Sequence, residues 1–168
     1  MAEKLEIERK YLIEMPNIKK LADEFDLIRM DINQTYLTSE ESGVERRVRR
    51  TKVGGKTYYH FTRKEKIKDS NLKRREHEVE IDKKYYNELR READRSLNTI
   101  KKKRYIFQYN GVLVELDVYR FWKKQAIVEV EMDSGDEVIK LPNSLKVIKE
   151  VTNDSNYKNY NLAKRFRN

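Results

Sequence analysis

Apolar and polar residues alternate with a period of two along most of this chain. In EIERKYLIE, residues 6–14, Glu6, Glu8 and Lys10 take every second position, with Ile7, Arg9, Tyr11 and Ile13 between them. A β-strand sends successive side chains to opposite faces, so this segment predicts a strand with two carboxylates and an ammonium on one side. Alternation at 5–13, 27–38, 44–52, 57–66, 74–81, 100–109, 112–121 and 126–132 predicts about eight strands. Helical spacing is rarer. Ile18, Leu21, Ala22 and Phe25 after Pro16-Asn17 predict one helix, and Tyr85, Leu89 and Ala93 after a capping Asp82 predict a second over 83–93. Leu162 and Phe166 point to a third near the C-terminus, Ser134 and Glu137 form a capping-box pair before Pro142, and KIKDSNLKRR at 66–75 reads as a charged loop.

Two turn dipeptides fix which strand positions share a face. Gly54-Gly55 as a two-residue loop pairs Val53 with Lys56, and hence Arg49 with His60 and Arg47 with Thr62. Residues directly opposite in an antiparallel pair project to the same side, so Arg47 and Arg49 lie with His60 and, further along that strand, Lys64. Asn110-Gly111 pairs Asp117 with Arg104 and Tyr119 with Lys102 in the same way, which sets Glu115, Asp117, Lys102 and Arg104 against Val114, Leu116 and Val118 on the other face. Glu129 and Glu131 alternate with Val128, Val130 and Met132; an odd number of residues in the connection near Trp122 to Gln125 brings them to the Asp117 face. Glu76 and Glu78 alternate with His77 and Val79.

A charged strand face is ordinarily solvated surface. Here the signs are segregated by strand, as Glu-x-Glu, Arg-x-Arg and Glu-x-Asp, which solubility does not require. Closing about eight strands into a barrel removes exposed edges and gives every strand an inside. The expected fold is therefore mainly β within the α+β class: an eight-stranded antiparallel barrel tunnel with a charged lumen, its apolar outside covered by two or three helices. Paired acids suit a hard divalent cation such as Mg²⁺, and Arg and Lys suit phosphate oxygens.

Composition narrows the partners. The chain has 168 residues, 40% of them charged and 38% hydrophobic, which fits one domain whose apolar residues are concentrated on single faces. The net charge of +9 favours a polyanion. The absence of cysteine removes disulfides, thiolate metal sites and cysteine nucleophiles, and His60 and His77 are too few for a histidine-rich metal centre. His60 has inward parity and reads as a hydrogen-bonded structural residue. No apolar stretch approaches the roughly 18 residues of a membrane span and MAEKLEIERK has no hydrophobic signal core, so a cytoplasmic protein without membrane contact is expected.

In this order the segments resemble a known family. Glu6-Ile7-Glu8-Arg9-Lys10 resembles the E-x-E-x-K signature of the CYTH superfamily, the triphosphate tunnel metalloenzymes, and NQTYLT at 33–38 resembles its Q-G-Y-L-T with Thr35 where glycine is common. ERRVRR, YYHFTRK, RREHEVEI, KKRY, VELDVY, VEVEM and EVTNDSNYKN follow as further family segments, spanning roughly Glu6 to Ala163. It is the run of motifs in one order, rather than E-x-E-x-K alone, that makes the resemblance specific.

The resemblance implies a tunnel that takes triphosphate-containing substrates with Mg²⁺ or Mn²⁺. It implies metal-binding roles for Glu6, Glu8, Glu129 and Glu131, with Asp117 and Glu115 as further acids, and phosphate-binding roles for Lys10, Arg47, Arg49, Lys64, Lys102 and Arg104. Lys158 in Tyr157-Lys158-Asn159 reaches the tunnel from the C-terminal segment, and Glu76 and Glu78 serve charge balance or a secondary metal contact. Lys10, Tyr36 and Glu8 are the catalytic candidates, Tyr36 by tuning the proton affinity of Lys10. Shared Q-x-Y-L, E-L-D-V and E-V-T segments resemble compact bacterial tripolyphosphatases, so hydrolysis of inorganic tripolyphosphate to orthophosphate is the leading expectation for a monomer or homodimer. Class IV adenylate cyclase and thiamine or nucleoside triphosphatase are the enzymatic alternatives. A non-catalytic polyphosphate or RNA binder using Lys73 to Arg75, Lys101 to Arg104 and Lys164 to Arg167 is the other, with no RNA-binding motif to support it.

Overall fold

The computed structural model of the chain describes residues 2–67, 73–132 and 139–168, with side chains from Glu8 onward except at Lys73. The Ser134 and Glu137 pair and the centre of the 66–75 loop lie outside the described residues, as does the side chain of Glu6. The strands are β1 (Ala2–Glu14), β2 (Ile28–Leu37), β3 (Val44–Val53), β4 (Lys56–Lys66), β5 (Lys73–Ile81), β6 (Ile100–Tyr109), β7 (Val112–Tyr119), β8 (Gln125–Glu131) and β9 (Val147–Glu150). The helices are α1 (Ile18–Glu24), α2 (Lys83–Leu89) and α3 (Asn159–Arg165). Among the described residues no helix is long and apolar enough to cross a membrane.

All eight predicted strands form, and β9 is an addition to them. Alternation could not reveal β9: Val147 and Ile148 are adjacent apolar residues and all four of its side chains are exposed. Main-chain bonds hold it, from Glu14 N–H to the Lys146 carbonyl at 2.9 Å and from Val151 N–H to the Lys10 carbonyl at 2.8 Å.

Every pairing is antiparallel, and neighbours run β5-β4-β3-β2-β6-β7-β8-β1-β9 with a further β5–β1 pairing. β1 is shared along its length: Ala2 to Ile7 pair with β5 and Glu8 to Glu14 with β8. The sheet thereby wraps into a barrel-like tunnel. Both hairpins hold the register expected from their turns, with Arg49 opposite His60 and Asp117 opposite Arg104. The turn residues show why: Asn110, Gly111, Gly54 and Gly55 have φ of 50°, 75°, 57° and 77°, the left-handed region in which a two-residue hairpin turns and which glycine enters without strain. Five residues separate β7 from β8, from Arg120 to Lys124, an odd connection that leaves Glu115 opposite Glu129.

Two helices cover the outside of the wall. Asn17 caps α1 by accepting from Lys20 N–H at 3.1 Å, and α1 lays Leu21 over the outward-facing Ile13, Phe107, Leu116, Val128 and Val130. Asp82 caps α2 through Tyr85 N–H at 2.7 Å. The expected burial of Tyr85 is corrected: Tyr85 is 48% exposed, and Tyr86 and Leu89 are the buried pair against Val48 and Leu37. Tyr86 has an aromatic partner, the Tyr59 ring at 4.8 Å, and this contact decides between neighbouring tyrosines. The expected helix over 83–93 also stops earlier, at Leu89, and continues as a 3-10 turn over Arg90–Glu92.

The third helix does something different. Leu162 and Ala163 of α3 pack on Leu12, Tyr36, Ile100, Tyr119 and Ile127, which share the parity of the inward charged rows. Phe121 stacks on Phe166 at 4.7 Å beside them, with Trp122 in the same aromatic cluster. The lumen is charged as expected over part of its length, and one end of it is filled by an apolar plug under α3.

Candidate active site

The charged part of the lumen is a cavity of about 250 Å³. β1 contributes Glu8 and Lys10 to its wall, β7 contributes Glu115, and β8 contributes Glu129 and Glu131. Across from them β3 supplies Arg47 and Arg49, β4 supplies Lys64, and β2 supplies Tyr36, with Arg104 of β6 at the flank. Glu76 and Glu78 of β5 and Lys158 of the C-terminal segment complete the predicted residues that line it. In the ring of pairings β7, β8 and β1 are consecutive, and β4, β3 and β2 stand half-way round. A mainly acidic wall thus faces a mainly basic one.

Hydrogen bonds and ion pairs join the two signs. Lys10 Nζ lies 3.4 Å from Glu129 and donates to the Tyr157 carbonyl at 3.4 Å. Burial alone would lower the Lys10 pKa, but Glu129 and Glu8 raise it above the usual ammonium value. Arg104 reaches Glu115 at 2.8 Å and Glu129 at 3.8 Å, and Lys64 reaches Glu76 at 3.7 Å. Burial raises the Glu115 carboxyl, and although Arg104 opposes this, repulsion from Glu129 and Asp117 keeps the pKa up. Burial and the neighbouring guanidinia of Arg47 and Arg104 lower that of Arg49 to about 10.

Two predicted residues sit behind the wall instead of on it. Asp117 and Lys102 have wholly buried side chains 2.7 Å apart, and neither lines the cavity. Arg104 also grips Asp117, through Nε at 2.7 Å and Nη2 at 2.9 Å. Burial would raise the Asp117 pKa, but Arg104 and then Lys102 hold it well below the usual carboxylate range. Asp117, expected to meet a cation, and Lys102, expected to meet phosphate, here pair with each other, and Asp117 also holds Arg104. The Tyr36 hydroxyl, expected to interact with Lys10, accepts from Gln34 Nε2 at 2.7 Å. His60 does not line the cavity, although it stands opposite Arg49.

Several lining residues escaped the sequence reading. Glu45 precedes Arg47 by two on β3, and Arg74 precedes Glu76 by two on β5, so strict extension of the alternation would have found both. Thr152, Asn159 and Tyr160 lie outside the barrel strands and come in only because α3 and the segment before it fold against the plug. Thr152 Oγ1 accepts from Lys10 N–H at 3.0 Å, and Asn159 accepts from the Tyr119 hydroxyl. Lys158 has its pKa lowered by burial and then by Arg74 and Lys66, a concentration of positive charge on that side. Counting these, carboxylates and cations among the described residues line the cavity in equal number.

The donor chemistry on the acidic wall suits a hard divalent cation. Glu8 is paired in register with Glu131 and Glu115 with Glu129, like charges directly opposite, an arrangement that destabilises a sheet unless positive charge intervenes. Burial and then the neighbouring acids raise the Glu115 pKa against the pull of Arg104, whereas the burial of Glu129 is outweighed by Lys10 and Arg104, which hold its pKa down. Among the described residues, no three acidic or histidine side chains converge closely enough to hold a metal in the arrangement seen, Arg104 and Lys10 being drawn to Glu115 and Glu129 instead.

The chain belongs to the CYTH domain family, whose pattern matches residues 4–166. Among solved structures it is similar to the inorganic triphosphatase NE1496, with 30% sequence identity, 97% of each chain covered and a TM-score of 0.61. It is also similar to a protein of Pyrococcus furiosus at 25% identity, covering 79% of this chain and 81% of that one with a TM-score of 0.57. A protein of Pyrococcus horikoshii OT3 shares the fold at 23% identity and a TM-score of 0.59, over 80% of this chain and 81% of that one. No curated protein sequence matches the chain.

Proposed function

We propose that this protein hydrolyses the terminal phosphoanhydride of inorganic tripolyphosphate, releasing orthophosphate, with Mg²⁺ or Mn²⁺ bound on the acidic wall. The observation that carries the reading is the opposition of walls: acids of β7, β8 and β1 face Arg47, Arg49 and Lys64 across one small cavity. A lining with acids and cations in equal number suits a polyanion that arrives with its counter-cations better than a bare one. The cavity volume of about 250 Å³ lies below the ~300 Å³ at which pockets for drug-sized ligands begin, which favours a short phosphate chain over a complete nucleotide. The similarity to an inorganic triphosphatase agrees with this.

Glu8, Glu115, Glu129 and Glu131 would hold the cation, with Glu6, in the same alternating row of β1, assigned to the same task. When bound, a divalent cation neutralises phosphate oxygens and acidifies a water molecule for attack. Arg47, Arg49 and Arg104 bind phosphate oxygens as planar forks, and Lys64 and Lys158 as compact charges. Lys10 stands beside Glu129 at the boundary of the two walls, where its ammonium can meet a phosphate oxygen. Burial raises the Tyr36 pKa, and its phenol stays neutral and can only donate or accept hydrogen bonds. Asp117 and Lys102 hold Arg104 in place. Positioning and electrostatics supply most of the catalysis, as in phosphoryl transfer generally.

A phosphate-release panel over tripolyphosphate, thiamine triphosphate, ATP and GTP, with Mg²⁺, Mn²⁺ or chelator, tests the proposal. Tripolyphosphate should give the highest kcat/KM, and chelator should abolish release. Cyclic AMP formed from ATP in place of orthophosphate would assign a cyclase. Salt-sensitive, metal-independent binding that survives Glu8→Gln without turnover would assign a passive polyanion binder.

A further inference from the structure

Gln34 is wholly buried on β2 next to the basic wall, yet it does not line the cavity. Its carboxamide makes three hydrogen bonds. Oε1 accepts from Arg49 Nε at 3.1 Å and from Arg49 Nη2 at 2.8 Å, while Nε2 donates to the Tyr36 hydroxyl at 2.7 Å. A guanidinium has no acceptor, so the carboxamide oxygen must face Arg49 and its NH₂ must face Tyr36. That orientation makes the phenol oxygen of Tyr36 an acceptor toward Gln34, and its own proton is left to point elsewhere. Tyr36 lines the cavity, and so does Arg49.

We infer that Gln34 is a positioning residue that aims the Arg49 guanidinium and the Tyr36 hydroxyl together at one phosphate of the bound chain, a conclusion that rests on the triphosphatase reading given above. Two of the five N–H donors of Arg49 are spent on Gln34, and the guanidinium so held belongs to a residue that lines the cavity. The Tyr36 ring is held from its other side by Tyr160 of α3, edge to face at 5.3 Å, so that only rotation about the C–O bond remains. Gln34 and Tyr36 are two residues apart on one strand and Arg49 is the register partner of Gln34, so the unit is rigid by construction. A glutamate at this position would accept from Arg49 but could not donate to Tyr36; a leucine could do neither.

Gln34→Leu conserves apolar volume and removes both links. KM for tripolyphosphate is expected to rise about ten- to a hundredfold, the range set by losing hydrogen bonds to a charged group, with a smaller change in kcat. In an Arg49→Ala background the same change should cost less than it does in the wild type, since the part of its effect that runs through Arg49 is already gone and only the Tyr36 link is left to lose. The Arg49 Nε–H signal in ¹H–¹⁵N spectra should lose its protection from exchange in Gln34→Leu and keep it in Gln34→Glu. Gln34→Glu is also the variant to read if Gln34→Leu does not fold: its KM should rise, and Tyr36→Phe should add nothing further to it. A folded variant with wild-type KM, full multiplicative effects in the double variants, or unchanged Arg49 Nε–H protection in Gln34→Leu would overturn the inference. A wild-type protein that neither hydrolyses tripolyphosphate nor binds it by calorimetry would overturn the functional reading instead, and the exchange measurement would still decide the role of Gln34.

Discussion

Asp117 is the buried residue that joins Lys102 to Arg104 behind the cavity wall. Its carboxylate is buried between Lys102 and Arg104, and without its charge Lys102 loses its carboxylate partner while Arg104 is left to Glu115 and Glu129. Asp117→Asn should therefore cost about 3–5 kcal/mol of folding stability, the usual loss when one partner of a buried ion pair is removed, read from urea unfolding. Lys102 gives a pH signature of opposite kind to a surface lysine. Burial lowers its pKa to about 8 from an ordinary 10.5, even with Asp117 attached. A lysine that binds its proton less tightly when folded contributes stability that is complete above 10.5 and lost as pH falls through about 8. The urea midpoint should accordingly rise between about pH 8 and pH 10, and Lys102→Met should flatten that rise. Of these two residues the inward parity was legible in the sequence; their mutual burial was not, because alternation says which side a residue faces and nothing about how deep it lies.

The hairpins and caps carry the registers on which that chemistry depends. Asn110-Gly111 sets Arg104 opposite Asp117 and Glu115 opposite Ile106, and the turn needs left-handed backbone at both residues. Gly111→Ala, at φ 75°, should lose about 1–2 kcal/mol by thermal or urea unfolding while KM for tripolyphosphate holds, since neither turn residue lines the cavity. Asp82→Ala should remove the N-cap of α2 at a cost of about 1 kcal/mol, again with KM unchanged. The turn dipeptides and capping residues were readable because each works over two to four residues. β9 and the choice of Tyr86 over Tyr85 were not, since a backbone-only edge pairing and an aromatic contact from another strand leave no local pattern.

For the molecule as a whole, the opposed walls make stability and ligand binding one quantity. Mg²⁺ should raise Tm more than NaCl at equal ionic strength, because the acidic wall gains a counter-charge in the folded state only, and Glu115→Gln should reduce the gain. Burial and neighbouring acids already raise the Glu115 pKa, so its folded-state stabilisation is present below the ordinary carboxylate range and is lost as pH rises through the raised value; the cation effect should be largest above that point. The plug is the second global feature. Leu162 is wholly buried against Leu12 and Ile127, and Leu162→Ala should cost about 2–5 kcal/mol. It should also raise KM, because the same helix and the residues before it bring Lys158, Asn159 and Tyr160 to the cavity.

Alternation and turn chemistry determined, from the sequence, eight strands, two hairpin registers and the segregation of acids and bases on inward faces, because side-chain direction in a strand and the conformation of a two-residue turn are local properties. Tertiary structure alone decided which walls face each other, that Asp117 and Lys102 are withdrawn behind Arg104, that Gln34 ties Arg49 to Tyr36, and that one end of the lumen is closed by α3. Those outcomes depend on distances between strands far apart in the chain and on how deep each position lies along the barrel, and neither quantity has a period in the sequence.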